Sequence, residues 1–355
     1  MWAAAGGVEP PLGMAPRRLP RLMRDPRHWP QKRGGMNFRW TMATRREFLQ
    51  SAAAALAARY AGVLPRGERL PLGFSTLGCP AWTWTQIVSF AQAHDYVAIE
   101  LRGLQTNMDL TLAPEFSREG GRLDLTTQQL RERGLRVSCL GASAHMHEQD
   151  PTKRAAQLDE ARRFIDLAEA LRAPYVRVFG NNYVGGVPRE AMLAHIARGL
   201  RELGDYARPR GVTVVMESHG DFTDSPTLIE ILQQADSPAV ALLWDAHHTF
   251  VLGKEQPEDT VRQLGRYIRH THLKDSVPAG PDGKDRRYVL TGTGEVPVRR
   301  QIEALALSGY RGFYSFEWEK RWHPDIEEPE VAFAQFATVA GGYLRGAGVT
   351  ELPAQ

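Results

Sequence analysis

The chain has 355 residues, 43% of them hydrophobic and 24% charged, an ordinary globular composition. No apolar run reaches membrane-spanning length, so no membrane span is expected, and two cysteines exclude a disulfide-built scaffold. The net charge of +3 is unevenly spread: residues 1–66 hold 12 Lys/Arg against 3 Asp/Glu, a net of +9, and the remainder holds 32 against 38, a net of −6. A body with an acidic surplus argues against nucleic acid as partner.

Residues 1–69 read as a leader. The first 41 are rich in Pro, Gly and Arg and have no apolar period. Thr44-Arg45-Arg46-Glu47-Phe48-Leu49-Gln50 then precedes an alanine-rich stretch from Ser51 to Leu64. Paired arginines, a Phe-Leu step and a mildly apolar segment, in that order, resemble a twin-arginine export signal. That resemblance implies a periplasmic or secreted protein, exported folded. A short amphipathic helix capped by Thr44 is the alternative, and it would leave the protein cytoplasmic. Met36 or Met42 is the expected start, and the mature chain is expected to begin between Ala61 and Leu70.

From residue 70 short apolar runs alternate with helical patterns eight times. Strands are expected at 71–77, 96–101, 135–141, 175–179, 212–216, 240–244, 268–273 and 312–316. The helices between and after them are expected at 83–94, 126–133, 153–171, 189–206, 226–234, 257–264, 298–307 and about 329–344. The long helix at 153–171 carries Leu158, Ala161, Phe164, Ile165 and Leu171 at helical spacing. Nearly continuous apolar strands fit a parallel sheet covered on both faces. Eight such units define the fold class as α/β, a (β/α)8 TIM barrel over 70–345 with a tail at 346–355. An open doubly wound sheet would show a Gly-rich phosphate turn after its first strand, and Leu77-Gly78-Cys79-Pro80 is not one.

A barrel builds its active site from the strand C-termini. Four successive strands end in carboxylates or histidines: Met216-Glu217-Ser218-His219, Trp244-Asp245-Ala246-His247-His248, His270-Thr271-His272-Leu273-Lys274-Asp275 and Phe316-Glu317-Trp318-Glu319. Singly, each acid reads as a helix cap or a surface ion pair. Together, Glu217, Asp245, His272 and Glu317 converge. Carboxylates about 5 Å apart repel by about 3 kcal/mol per pair at an effective dielectric near 20, so three of them need a cation. A mostly oxygen donor set favours one divalent ion of Mn, Mg or Co over Zn.

On these motifs, and on Gly309-Tyr310-Arg311-Gly312-Phe313-Tyr314 before the last strand end, residues 70–345 resemble the xylose isomerase-like TIM barrel family, also called the sugar phosphate isomerase/epimerase family. The resemblance implies metal ligands at Glu217, Asp245, His272 and Glu317, and a substrate contact at His248. It implies that Glu217 and Glu317 also form the acid/base pair. A sugar or cyclitol carbonyl and hydroxyl would bind the metal, which stabilises an enediolate, while one glutamate takes the α-proton and the other returns it. This is an isomerase or epimerase; with a leaving group β to the carbonyl the same site makes a dehydratase or lyase on a keto-sugar, keto-glycoside or inosose. Some ketose epimerases carry an arginine six residues after the metal histidine; that position is Pro278 here, and Lys274 is expected to supply the cation instead.

Other polar positions follow. Glu100, Arg102 and Asn181 end strands two and four and are expected to reach substrate hydroxyls, the first two pairing with each other as the alternative. His219 joins them as a substrate contact; His145 and His147 are supporting or surface residues. Thr291-Gly292-Thr293-Gly294-Glu295 reads first as a lid and second as a phosphate cradle. Trp82, Trp84, Trp244 and Trp318 are core before they are sugar platforms. Cys79 and Cys139 are expected to be free, buried thiols. An endonuclease IV-like nuclease is disfavoured, because no histidine lies between His272 and Glu317 to complete an Asp-x-His. A non-catalytic sugar-binding barrel is disfavoured by the full ligand set.

Overall fold

The computed structural model describes residues 69–280 and 285–349. The twin-arginine motif and nearly all of the leader lie outside these residues, as does the tail beyond Val349. The strands are β1 (Leu72–Ser75), β2 (Ala98–Leu101), β3 (Arg136–His145), β4 (Tyr175–Phe179), β5 (Thr213–Glu217), β6 (Val240–Asp245), β7 (Ile268–Leu273), β8 (Asp275–Ala279), β9 (Asp285–Val289) and β10 (Tyr314–Phe316). Eight of them close a barrel in the order β1-β10-β7-β6-β5-β4-β3-β2, and every pairing in it is parallel. The helices are α1 (Trp84–Ala93), α2 (Arg122–Glu132), α3 (Pro151–Leu171), α4 (Arg189–Ala207), α5 (Ser225–Ala235), α6 (Ala246–Val251), α7 (Pro257–Leu264), α8 (Val298–Leu307) and α9 (Pro329–Gly346). The expected (β/α)8 barrel is the observed fold.

Local chemistry places these elements. Thr83 and Gln86 form a reciprocal capping box at α1. Asp150 and Asp224 cap α3 and α5, each with a proline in the first turn. Apolar helix faces pack on the outer face of the barrel, where Phe316 stacks on Phe336 at 4.4 Å and Phe74 meets Phe333 at 4.4 Å. Inside the barrel a separate cluster of Cys139, Val215, Ala241 and Leu243 fills the interior against Tyr175. Side chains alternate along a strand. The same face that carries Tyr175 and Val215 therefore carries Arg177 and Glu217, and the barrel interior turns from apolar to charged toward the strand C-termini.

Three features depart from the sequence expectation. β3 runs on to His145, past a register shift between Gly141 and His145. A short helix, α6, follows β6 directly. The stretch after β7 is no open polar loop: β8 and β9 pair as an antiparallel hairpin with Pro278 opposite Arg286. Charged, proline-containing strands carry no alternating apolar signal; of this ribbon Asp275, Ser276 and Tyr288 are buried, Tyr288 within the core. The glycine loop beyond it cradles no phosphate. Its N–H groups are directed at a carboxylate of the chain itself: Gly292 and Gly294 each donate to Asp275 Oδ2 at 2.9 Å, and Val296 donates to Oδ1 at 3.1 Å.

Trp82, Trp84, Trp244 and Trp318 are buried, and each indole N–H has an acceptor: Glu330, Gln129, Thr249 and the Glu327 carbonyl. Cys79 and Cys139 are free and buried. Among the described residues no helix is long and apolar enough to cross a membrane.

Candidate metal centre

Four neighbouring strands deliver the site. Glu217 is the last residue of β5, Asp245 the last of β6, His272 the penultimate residue of β7, and Glu317 follows β10. Ladder pairing sets Asp245 beside His272 and His272 beside Ser315, so the three tips are level at the barrel mouth. One donor atom from each of Glu217, Asp245, His272 and Glu317 lies within 4.8 Å of the others, and all four residues are buried. His272 Nδ1 is 3.2 Å from Glu317 Oε2, 3.5 Å from Glu217 Oε1 and 3.9 Å from Asp245 Oδ2.

The donors are held from behind. Asp245 caps α6: its Oδ1 accepts the N–H groups of His247 and His248, each at 3.0 Å, which leaves Oδ2 facing the centre. The cap reading of this aspartate holds for Oδ1, and Oδ2 is the oxygen left on the side of the other acids. His272 Nε2 contacts Glu100 Oε2 at 2.8 Å. Arg177 Nε stands 3.1 Å from Glu217 Oε2.

His272 Nδ1 has no hydrogen-bond partner, and Asp245 Oδ2 and Glu217 Oε2 have none beyond the ion-pair contacts of Lys274, His248 and Arg177. Buried polar atoms are normally satisfied. One donor atom each from Glu217, Asp245, His272 and Glu317 makes a set of three carboxylates and one imidazole that fits one divalent cation.

The electrostatics keep these acids charged. Burial would raise the Glu217 carboxyl, but Arg177 and His272 outweigh it, and with Glu317 opposing them the group settles at about 2. Burial is likewise overcome at Glu317, which His272 and Lys274 hold well below the usual carboxylate range.

Several expected substrate contacts occupy other roles. Lys274 is fully buried, and its Nζ lies 2.5 Å from Glu317 Oε2, 2.7 Å from Glu319 Oε1 and 2.8 Å from Asp245 Oδ2. A buried ammonium requires such counter-charges; they outweigh burial and hold the group above its ordinary range. Its cation is thus engaged by the acids of the site and does not replace the arginine absent at Pro278 as a free contact. Arg286, opposite Pro278, turns instead to Ser276 and Glu295. Glu100 neither pairs with Arg102 nor reaches the mouth: it is fully buried, with Oε2 against both His270 and His272.

Other residues stay at the mouth. Arg102 is 7% exposed and donates through Nη1 to Ser143 Oγ at 2.9 Å; burial and nearby Arg177 lower it to about 9. His248 Nδ1 sits 3.2 Å from Asp245 Oδ2 and 3.1 Å from the Ser218 carbonyl. His219 is half-buried between Phe179 and His248, ring centroids at 4.8 and 5.0 Å. His145 contacts Phe179 at 5.4 Å on the same rim, and burial with neighbouring His147 and Arg177 pulls it down to about 4. Asn181 has φ of +72° and its carbonyl accepts the Asp221 N–H at 2.9 Å.

Sequence reasoning passed over Arg177, His270 and Glu319. A charged residue in the middle of the apolar run Tyr175-Val176-Arg177-Val178-Phe179 was the available signal, because an interior strand position carries a charge only beside a partner.

The model of the xylose isomerase-like TIM barrel family matches residues 88–336. The chain belongs to that family. Among characterised relatives, inosose dehydratase from Geobacillus thermodenitrificans is 26% identical over 161 residues, 41% of this chain and 52% of that protein. Fructoselysine 3-epimerase from Shigella flexneri is 24% identical over 173 residues, 47% of this chain and 60% of that protein. The chain thus spans between half and three fifths of these relatives' lengths. The crystal structure of the IOLI protein with a bound zinc atom superposes with a TM-score of 0.63 at 20% identity, covering 76% of this chain and 96% of that one.

Proposed function

We propose that the chain is a metal-dependent isomerase or epimerase of a small sugar or cyclitol, acting by proton transfer α to a carbonyl. The observation that carries this reading is the placement of Glu217 and Glu317 at 3.5 and 3.2 Å from the same His272 nitrogen, on strands separated by β6 and β7. Glu217, Asp245, His272 and Glu317 would hold one divalent ion, with Mn, Mg or Co preferred over Zn on the oxygen-rich donor set. When bound, the ion supplies Lewis acidity toward a substrate carbonyl oxygen.

The chain's own residues do the rest. Glu217 and Glu317, both ionised, face the substrate from two directions; one removes the α-proton and the other returns a proton to the opposite face or the adjacent carbon. Arg177 holds Glu217 in place, and Lys274 holds Glu317. His248, His219, Arg102 and Asn181 would contact hydroxyl groups at the rim. No nucleic acid enters this reading, in keeping with the acidic body. Elimination from a keto-sugar, keto-glycoside or inosose starts with the same proton removal, and the inosose dehydratase relatives support it as the second reading. The Arg45-Arg46 motif supports export to the periplasm or beyond.

The test is turnover of keto-sugars, keto-glycosides and inososes in deuterated water with added Mn, followed by mass analysis. Solvent deuterium should enter substrate or product. Turnover with no deuterium in either pool would replace proton transfer by a hydride shift and reduce the two glutamates to ligands.

A further inference from the structure

Glu100 and His270 are wholly buried, carry chemistry-bearing side chains and are assigned no role in the reaction above. Glu100 lies on β2, and His270 and His272 lie on β7. Two other strands, β1 and β10, separate β2 from β7, so the contact crosses the barrel interior. All three residues have zero exposure. One carboxylate oxygen, Glu100 Oε2, meets His270 Nε2 at 2.7 Å and His272 Nε2 at 2.8 Å.

A single carboxylate oxygen at 2.7 and 2.8 Å from two ring nitrogens accepts from both, so both Nε2 atoms carry the hydrogen. A neutral imidazole has a single N–H. His272 Nδ1 lies 3.2 Å from Glu317, 3.5 Å from Glu217 and 3.9 Å from Asp245; without an ion, Glu100 and these acids outweigh burial and hold the imidazole above its ordinary range, and a cation bound among them would take the place of the Nδ1 proton, leaving Nε2–H toward Glu100.

We propose that Glu100, itself fixed by His270, is a positioning residue that holds His272 in the Nε2–H form and presents Nδ1 to the metal centre. The inference rests on the metal-centre reading above. It is the arrangement in which a carboxylate behind a ligating histidine sets tautomer and ring orientation, and it gives His270 a purpose as the second donor that stops the Glu100 carboxylate from rotating.

The experiment compares wild-type protein, Glu100→Gln and His270→Gln. Mn(II) affinity is measured by titration with electron paramagnetic resonance detection. The tautomer of His272 is read by long-range 1H–15N correlation on Zn(II)-loaded, histidine-labelled protein. Folding of each variant is checked by near-ultraviolet circular dichroism. Wild-type protein should show His272 with Nε2–H and a metal-shifted Nδ1. Glu100→Gln should bind Mn(II) about 10- to 100-fold more weakly, the usual loss for such a partner. His270→Gln, which keeps one N–H donor toward Glu100, should lose less than about a third as much. Folded Glu100→Gln protein with wild-type affinity and an unchanged His272 pattern would overturn the inference and leave the metal reading standing. A wild-type protein that binds no ion would overturn both.

Discussion

Arg177 gives the sharpest test of the electrostatic frame. Its guanidinium is 1% exposed, stands 3.1 Å from Glu217 Oε2, donates to the Ala142 carbonyl at 3.1 Å and covers the Phe179 ring at 3.9 Å. Two unit charges at that separation attract by about 5 kcal/mol at an effective dielectric near 20. Arg177→Met keeps most of the volume and leaves Glu217 buried without its counter-charge. Removing one member of a buried pair costs about 3–5 kcal/mol. For a domain of this size the melting temperature should fall on the order of 10 °C. The assay is urea unfolding of metal-free Arg177→Met, Glu217→Gln and the double variant. The double variant removes both charges, so it should be less destabilised than the sum of the two singles by at least about 2 kcal/mol. Saturating Mn(II) should shrink the penalty of Arg177→Met, because the ion becomes the counter-charge of Glu217. Additivity of the two substitutions within about 0.5 kcal/mol, or a loss below about 1 kcal/mol for Arg177→Met, would refute the reasoning.

Further outcomes follow from the same site. Elemental analysis of wild-type protein should give one divalent ion per chain; Asp245→Ala should lose it, and so should Asp245→Asn, which retains a side-chain oxygen to cap α6. Full occupancy in Asp245→Asn would mean the ligand set is wrong. Glu217 and Glu319 titrate at about 2 in the metal-free protein, below the unfolded value of about 4.3. A lowered folded value adds stability that is present above about pH 4.3 and lost as pH falls toward about 2. The urea midpoint should therefore drop across that window, and Glu319→Gln should flatten the drop; an unchanged acid profile in Glu319→Gln counts against the Lys274–Glu319 pair. Changing Arg45 and Arg46 together to Lys should retain the protein in the cytoplasm, as read by fractionation, and continued export would remove the twin-arginine reading.

The primary sequence by itself determined the eight-fold alternation and the residues that end its strands. Those signals are local. The 257–264 and 298–307 helices match α7 and α8, and the runs at 175–179 and 268–273 match β4 and β7, because hydrophobic period, prolines and caps act within a few residues. Convergence of Glu217, Asp245, His272 and Glu317 was legible for the same reason: strand ends meet once the barrel closes. What each polar group touches behind those ends was decided only by tertiary structure. Glu100 and His272 are 172 positions apart and meet across the barrel. Lys274 reads as a free cation in the sequence, yet in the fold three carboxylates from β6 and the β10 tip surround it. The glycine loop at 291–295 reads first as a lid and second as a phosphate cradle, and in the fold its N–H groups are taken by Asp275 of the same chain. Period and spacing fix which face a side chain leaves from. Which partner satisfies a buried charge is set by barrel closure, because desolvated charges take the nearest counter-charge in space rather than in sequence.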